Sequence, residues 1–256
     1  MEYDESRPYQ AGDDIRSLDW RVTARTGKPH TKLFREERER PVYAAIDASR
    51  SMYFATQGVF KVVQAARAAA LLSWKAHASG DRIGGFVFGE TEHHEVIPKA
   101  GEVGVLRLLK TITTAAPPSD ENRSQESALA AAMPRVRRVV RPGGLVFILS
   151  DFARFDDDIA SEIATLGAHA DVVLVHVHDP IEFELPAMPT DCRVSDGQSR
   201  FRLALASTGL REQYNSERQL LRETLESFAR SNRMLMASLS TIDDPLKQLQ
   251  RALARS

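Results

Sequence analysis

The run Asp47-Ala48-Ser49-Arg50-Ser51 puts one carboxylate and two hydroxyls at alternate positions, directly after the apolar residues 42–46. A hard cation such as Mg²⁺ takes about six oxygen ligands in octahedral geometry at about 2.1 Å. Alternate residues of a tight loop can aim the hydroxyls of Ser49 and Ser51 at one point, with Asp47 beside it. A second apolar run, residues 145–149, stops at Ser150-Asp151, so Asp151 can approach the same point. Ser127, ahead of a helical stretch, offers a third hydroxyl, although capping that helix would compete for the same oxygen. Taken alone, D-x-S-x-S also describes a strand-end Asp that caps a turn, with serines satisfying backbone groups. The pairing of two buried strands that both end in Asp favours the shared site.

The elements that must position these groups follow from periodicity. Residues 60–78 are apolar at helical spacing and end at Gly80-Asp81. Strands are expected at 82–88 and, at an edge, 95–97. Helical spacing returns at 103–112, a Pro-rich loop spans 115–122, and 127–139 is helical, with Pro134 kinking it or marking its true start. Strand 145–149, helix 156–166 and strand 172–177 follow, then a loop-rich stretch at 181–200. A strand at 201–204, a helix at 212–229, a strand at 233–239 and a helix at 245–254 close the chain. Alternating strands and helices with fully apolar strands imply a Rossmann-like, doubly wound, mostly parallel sheet covered on both faces. In such sheets ligands bind outside the carboxyl ends of the strands. Residues 1–40 are polar, with charges of both signs, and are read as an N-terminal arm of turns and short strands ahead of a domain at 41–256. The mixed-charge run 36–40 is read as solvated.

Composition narrows the function classes. The 256 residues are 43% hydrophobic and 27% charged with a formal net charge of -1, which is ordinary globular composition. Neither a nucleic-acid groove nor a polybasic membrane anchor is implied. The single cysteine, Cys192, excludes an intramolecular disulfide and a multi-cysteine zinc site. The first ten residues have no apolar signal-peptide core, and the apolar runs are too short to span a bilayer. The expectation is a cytoplasmic, soluble protein with no membrane span and no nucleic-acid partner. Phosphate-loop, dinucleotide, zinc-protease and nucleophile-elbow motifs are absent from the sequence.

The strand-D-x-S-x-S loop resembles the metal-ion-dependent adhesion site of von Willebrand factor A domains. That family adds a Thr from a second loop and an Asp from a third. Asp151 matches the third loop, and Ser127, in Ser127-Ala128-Leu129-Ala130-Ala131-Ala132-Met133, falls where the family has T-x-L-x-x-A-L. Serine there keeps the hydroxyl but lacks the methyl that holds the rotamer. The resemblance implies Asp47, Ser49, Ser51, Ser127 and Asp151 as ligands of Mg²⁺, or of Mn²⁺ or Ca²⁺. Upstream, Arg7-x-Tyr9-x-x-Gly12-Asp13-Asp14-x-Arg16-x-x-Asp19-Trp20, followed by Ala24-Arg25, resembles the signature of bacterial domain-of-unknown-function family fifty-eight. Members carry this arm just before a von Willebrand-like domain and are commonly encoded beside MoxR-type AAA+ ATPases. The arm charges Asp14, Arg16, Asp19 and Arg25 are expected to form buried salt bridges tying arm to sheet. Because the signature begins almost at once, Met1 is not expected to be the natural start, and a mobile N-terminus with Leu18 and Trp20 partly uncovered is expected.

The function expected is a divalent-cation-dependent module that binds a protein partner presenting an Asp or Glu, with a MoxR-type AAA+ ATPase as first candidate. A metal-dependent hydrolase or phosphotransferase is the alternative. Against it, Asp47-x-Ser49 lacks the second acid of a D-x-D nucleophile loop, two carboxylates are in reach, and Arg50 could bind an anion but not act as a base. His176, His178 and Asp179 read as a packed strand end rather than a metal pair, His93-His94 as solvated, and Asp156-Asp157-Asp158 as favourable charge at a helix start.

Overall fold

A computed structural model describes residues 2–10, 12–35, 39–115, 117, 127–186, 192–195, 200–203 and 208–254. The chain divides into two compact units, Met1–Glu39 and Arg40–Ser256.

In the first unit, β1 (Glu2–Pro8) pairs antiparallel with β2 (His30–Arg35), and α1 (Trp20–Thr26) lies between them in the chain. Asp19 caps α1 by accepting from the N–H groups of Arg21 and Val22, each at 3.1 Å, and Gly27, at φ 69°, ends it. The Ser6 hydroxyl donates to the other Asp19 oxygen at 2.8 Å. Arg7 pairs with Asp13 at 2.7 Å, and Asp13 also accepts from the Gln10 N–H at 2.9 Å. Tyr9 donates its N–H to the Pro29 carbonyl, and Gly12 has φ 112°, a conformation open to glycine. The expected buried salt bridges among Asp14, Arg16, Asp19 and Arg25 are not what forms. Asp19 is buried, but it works as a helix cap, and Asp14 caps the turn Ile15–Ser17 from an exposed position. Arg16 and Arg25 are exposed. Short polar side chains bonding nearby backbone win over long-range pairing here. Trp20 is 69% exposed. Met1 and residues 36–38 of the mixed-charge run lie outside the described residues.

In the second unit the chain runs β3 (Pro41–Asp47), α2 (Lys61–Ala78), β4 (Arg82–Phe88), β5 (His93–Lys99), α3 (Glu102–Thr114), α4 (Ala128–Val139), β6 (Leu145–Ser150), α5 (Asp157–Gly167), β7 (Asp171–His178), β8 (Cys192–Ser195), β9 (Arg200–Leu203), α6 (Thr208–Ser231), β10 (Leu235–Ser240) and α7 (Pro245–Leu253). Six strands form one sheet in the order β10-β7-β6-β3-β4-β5, every neighbour parallel except the β4–β5 hairpin. This is the expected doubly wound sheet. Alternate residues of each central strand feed two cores. Val42, Ala44 and Ile46 pack with α2, α3 and α7 on one face. Tyr43 and Ala45 pack with α4, α5 and α6 on the other.

Three local readings change. Pro134 lies inside α4 and does not start it; Ser127 is the cap, and Leu129, Ala132, Met133 and Val136 anchor turns on both sides of the proline. The stretch 181–200 contains a turn, Pro180–Glu182, and β8, which pairs antiparallel with β9. Of the Pro-rich stretch 115–122, residues 116 and 118–122 lie outside the described residues, as do 187–191, 196–199 and 204. His93 and His94 sit on β5, longer than expected, and are exposed.

Candidate metal centre

β3 and β6 are adjacent and parallel, so their carboxyl ends finish side by side. Asp47, the last residue of β3, and Asp151, the first after β6, therefore converge. Both are buried, 3% and 6% exposed. A cavity of about 210 Å³ opens there, and Asp47, Ser49, Ser51, Ser127 and Asp151 all line it. The structure brings every expected ligand to one place.

Each side chain is held by a specific contact. Asp47 accepts from the Ser49 N–H at 2.9 Å and from the Ser150 hydroxyl at 2.6 Å. The Ser49 and Ser51 hydroxyls lie 3.3 Å apart, as their alternate positions require. Ser127 Oγ accepts the Ala130 N–H at 3.4 Å, a long capping bond that leaves lone-pair capacity toward the cavity. Asp151 accepts from the Ala153 N–H at 3.1 Å. Between them Phe152 has φ 48°, a left-handed conformation that costs a non-glycine residue about 1 kcal/mol or more. Its N–H donates to the Ser150 hydroxyl at 3.1 Å, and its ring packs against Phe155 and His176, which holds the turn in place.

Three groups escaped sequence reasoning. Lys61, at the start of α2, is 1% exposed and donates to Asp151 at 2.8 Å and to Glu182 at 2.5 Å. Glu182 in turn accepts the Asp179 N–H at 2.8 Å, and fully buried Asp179 accepts from the Thr56 N–H at 2.8 Å and the Thr241 hydroxyl at 2.9 Å. The third group is Glu90, just beyond β4. It lines the cavity as a third carboxylate where two were expected, and its Oε2 is buried with no hydrogen-bond partner among the described residues.

The two aspartates titrate in opposite directions. Burial, then the charge of Asp151, pushes the Asp47 carboxyl up to about 6. Burial also acts against Asp151, but the Lys61 ammonium more than offsets it and holds that carboxyl below its ordinary value.

The donor set is oxygen throughout, which suits a hard cation. No three His, Cys, Asp or Glu residues converge as a metal cluster among the described residues; an ion here would rest on Asp47, Asp151 and the serine hydroxyls. Glu90's unpartnered oxygen and the charge-destabilised Asp47 are both groups that a cation would satisfy. The other candidates resolve as packing. His176 is buried, with His178 and Phe183 rings against it, and Asp156 caps α5 through the Ile159 N–H at 2.9 Å.

Comparison with known proteins finds mycobacterial relatives. Uncharacterized protein Rv1480 of Mycobacterium tuberculosis and Uncharacterized protein Mb1516 of Mycobacterium bovis are each 32% identical over 182 residues, 71% of this chain and 56% of theirs. The chain thus spans about half the length of the curated relatives it matches. Among solved structures, an aerotolerance-related membrane protein from Bacteroides fragilis is similar at TM-score 0.55 and 15% identity, over 85% of this chain and 100% of its own. BatB from Bacteroides thetaiotaomicron follows at TM-score 0.54 and 14% identity, over 84% and 98%. The SpRpn10 VWA domain is also found, at TM-score 0.42 and 9% identity, over 85% and 95%. The first two likenesses concern the fold. No helix of the described residues is long and apolar enough to cross a membrane. The family described as Protein of unknown function DUF58 matches residues 5–224, and the chain belongs to that family.

Proposed function

We propose that this chain is a protein-interaction module of von Willebrand factor A type whose binding depends on a divalent cation. One observation carries the reading: two buried carboxylates and three serine hydroxyls gather around one open cavity at the carboxyl edge of the sheet. Asp47, Ser49 and Ser51 would hold Mg²⁺, or Mn²⁺ or Ca²⁺, with Ser127 and Asp151 completing the set. When bound, the ion would supply an electrophilic position for a partner's Asp or Glu carboxylate. Lys61 keeps Asp151 ionised and aimed. It also removes one negative charge from the ion's surroundings, so the bare site should hold the metal weakly. Partner and metal should then enhance each other's binding, because linkage is reciprocal. A MoxR-type AAA+ ATPase, working with this module on the assembly or remodelling of a client, is the first partner to try. A cytoplasmic location goes with that partner.

A hydrolytic alternative draws on Glu90 as a third acidic group. Against it, among the described residues no histidine lines the cavity to serve as acid or base. Purified protein should hydrolyse neither nucleotides nor simple phosphoesters in Mg²⁺ or Mn²⁺; turnover that disappears in Asp47→Asn would overturn the non-enzyme reading. The binding reading is tested by titrating a MoxR-type AAA+ ATPase in Mg²⁺ and in EDTA, with wild type, Asp47→Ala and Ser49→Ala. Equal affinity across these conditions would remove the metal from the mechanism.

A further inference from the structure

β10 is one end of the six-stranded sheet, and its open side has a defined register. The Thr241 N–H donates to the His178 carbonyl at 2.9 Å. Alternate residues of a parallel strand bond to one neighbour, so Leu235, Ala237 and Leu239 bond to β7, while Met236, Ser238 and Ser240 turn their backbone groups outward. Ser240 is already closed. Its N–H donates to Asp243 Oδ2 at 2.9 Å, and its carbonyl accepts from Gln64 Nε2 at 2.8 Å and the Asp243 N–H at 3.1 Å. Among the described residues nothing takes the N–H or C=O groups of Met236 and Ser238.

Exposed edges are usually defended by proline or charge. The opposite edge, β5, carries Pro98, Glu95 and Lys99. β10, reading Leu-Met-Ala-Ser-Leu-Ser, carries neither. A groove of about 570 Å³ runs along it between α6 and α7, with Arg222, Arg230 and Arg251 on its walls. Its one acidic side chain among the described residues, Glu226, is already paired with Arg222 at 2.9 Å. The groove therefore presents strand backbone beside the guanidinium groups of Arg230 and Arg251, neither of which has an acidic partner among the described residues.

We propose that this groove receives an extended acidic segment of a partner protein, which adds to the sheet as a strand beside β10. Its backbone would bond to Met236 and Ser238, and its carboxylates would meet Arg230 and Arg251. This surface shares no residue with the cavity at Asp47, so the docking is independent of metal.

The test uses the full chain and fluorescein-labelled peptides about eight residues long, the span of an ordinary strand. One alternates glutamate with valine, one alternates lysine with valine, and one is the glutamate peptide with the alternate amides that would face β10 N-methylated. Anisotropy should show the glutamate peptide binding equally in EDTA and in Asp47→Asn, more weakly at raised salt. The lysine and N-methylated peptides should bind at least about tenfold more weakly. Arg230→Glu/Arg251→Glu, two exposed changes on helices, should reverse the charge preference. Hydrogen exchange should show new protection confined to residues 235–240. Equal binding of the N-methylated or lysine peptide, protection elsewhere, or no binding at about 1 mM peptide overturns the proposal. So does a concentration-dependent dimer with β10 protected in the absence of peptide, which would make a second copy the occupant.

Discussion

Replacing Asp47 by Asn should stabilise the metal-free protein while abolishing its response to Mg²⁺. Burial and the Asp151 charge raise the Asp47 carboxyl from 3.8 to about 6. The unfolded chain therefore releases this proton more readily than the folded one. Below 3.8 the group costs nothing; as pH rises the folded state is penalised, and the penalty is complete above about 6. Converted at about 1.4 kcal/mol per tenfold, the penalty at neutral pH is about 3 kcal/mol. Asparagine removes the charge without emptying the contacts. Its carbonyl can keep the Ser49 N–H, and its amide can donate to the Ser150 hydroxyl, which already accepts from Phe152. Urea unfolding in EDTA should find Asp47→Asn more stable than wild type by roughly 1–3 kcal/mol at pH 8. The gain should shrink by pH 5 and vanish near pH 4. Millimolar Mg²⁺ should stabilise wild type and leave the variant unchanged. A variant less stable than wild type at pH 8, or a gain that ignores pH, would refute the burial argument. Equal stabilisation of both proteins by Mg²⁺ would refute the metal reading.

Other perturbations have equally definite outcomes. Lys61→Met strands the carboxylates of Asp151 and Glu182 and should cost about 3–5 kcal/mol in thermal or urea unfolding, part of it recovered by adding Asp151→Asn. His176 is pushed down from 6.5 to about 3, first by burial and then by His178. The unfolded chain takes up that proton first, so stability is full above 6.5 and falls as pH drops toward 3, by roughly 5 kcal/mol at the limit. His176→Leu should flatten urea midpoints measured between pH 7 and 4. Gly58 has φ 73°, and an added Cβ would lie 2.3 Å from the Thr241 carbonyl oxygen. Gly58→Ala should therefore lower stability by more than about 1 kcal/mol, measured by thermal unfolding.

The sheet and the meeting of Asp47 with Asp151 were legible because both depend on local pattern. An apolar run that stops at Asp marks a strand end, and parallel strands put such ends on one edge. Lys61 was not legible. A lysine at a helix start looks solvated, and its burial depends on Asp151 and Glu182, 90 and 121 residues away. Glu90 hides similarly, as an ordinary acid after a strand. The left-handed turn at Phe152 carries no glycine to announce it; the packing of its ring imposes it. In the arm, the charge pattern suggested ion pairs, while its aspartates serve mainly as caps, a competition that composition does not decide.

The serine-bearing segment after β3 is tethered at both ends. At one end Asp47 holds the Ser49 N–H; at the other Asp179 holds Thr56, and Val59 donates to the Thr241 carbonyl. Connecting segments of this length ordinarily open by themselves, at little free energy, long before a sheet does. This one cannot. Releasing it means uncovering a fully buried carboxylate and parting the chain from the end of β10. The cleft's rim should therefore open with the slow, cooperative part of the molecule, and under the proposed function a partner docking there would find little ordering entropy left to lose.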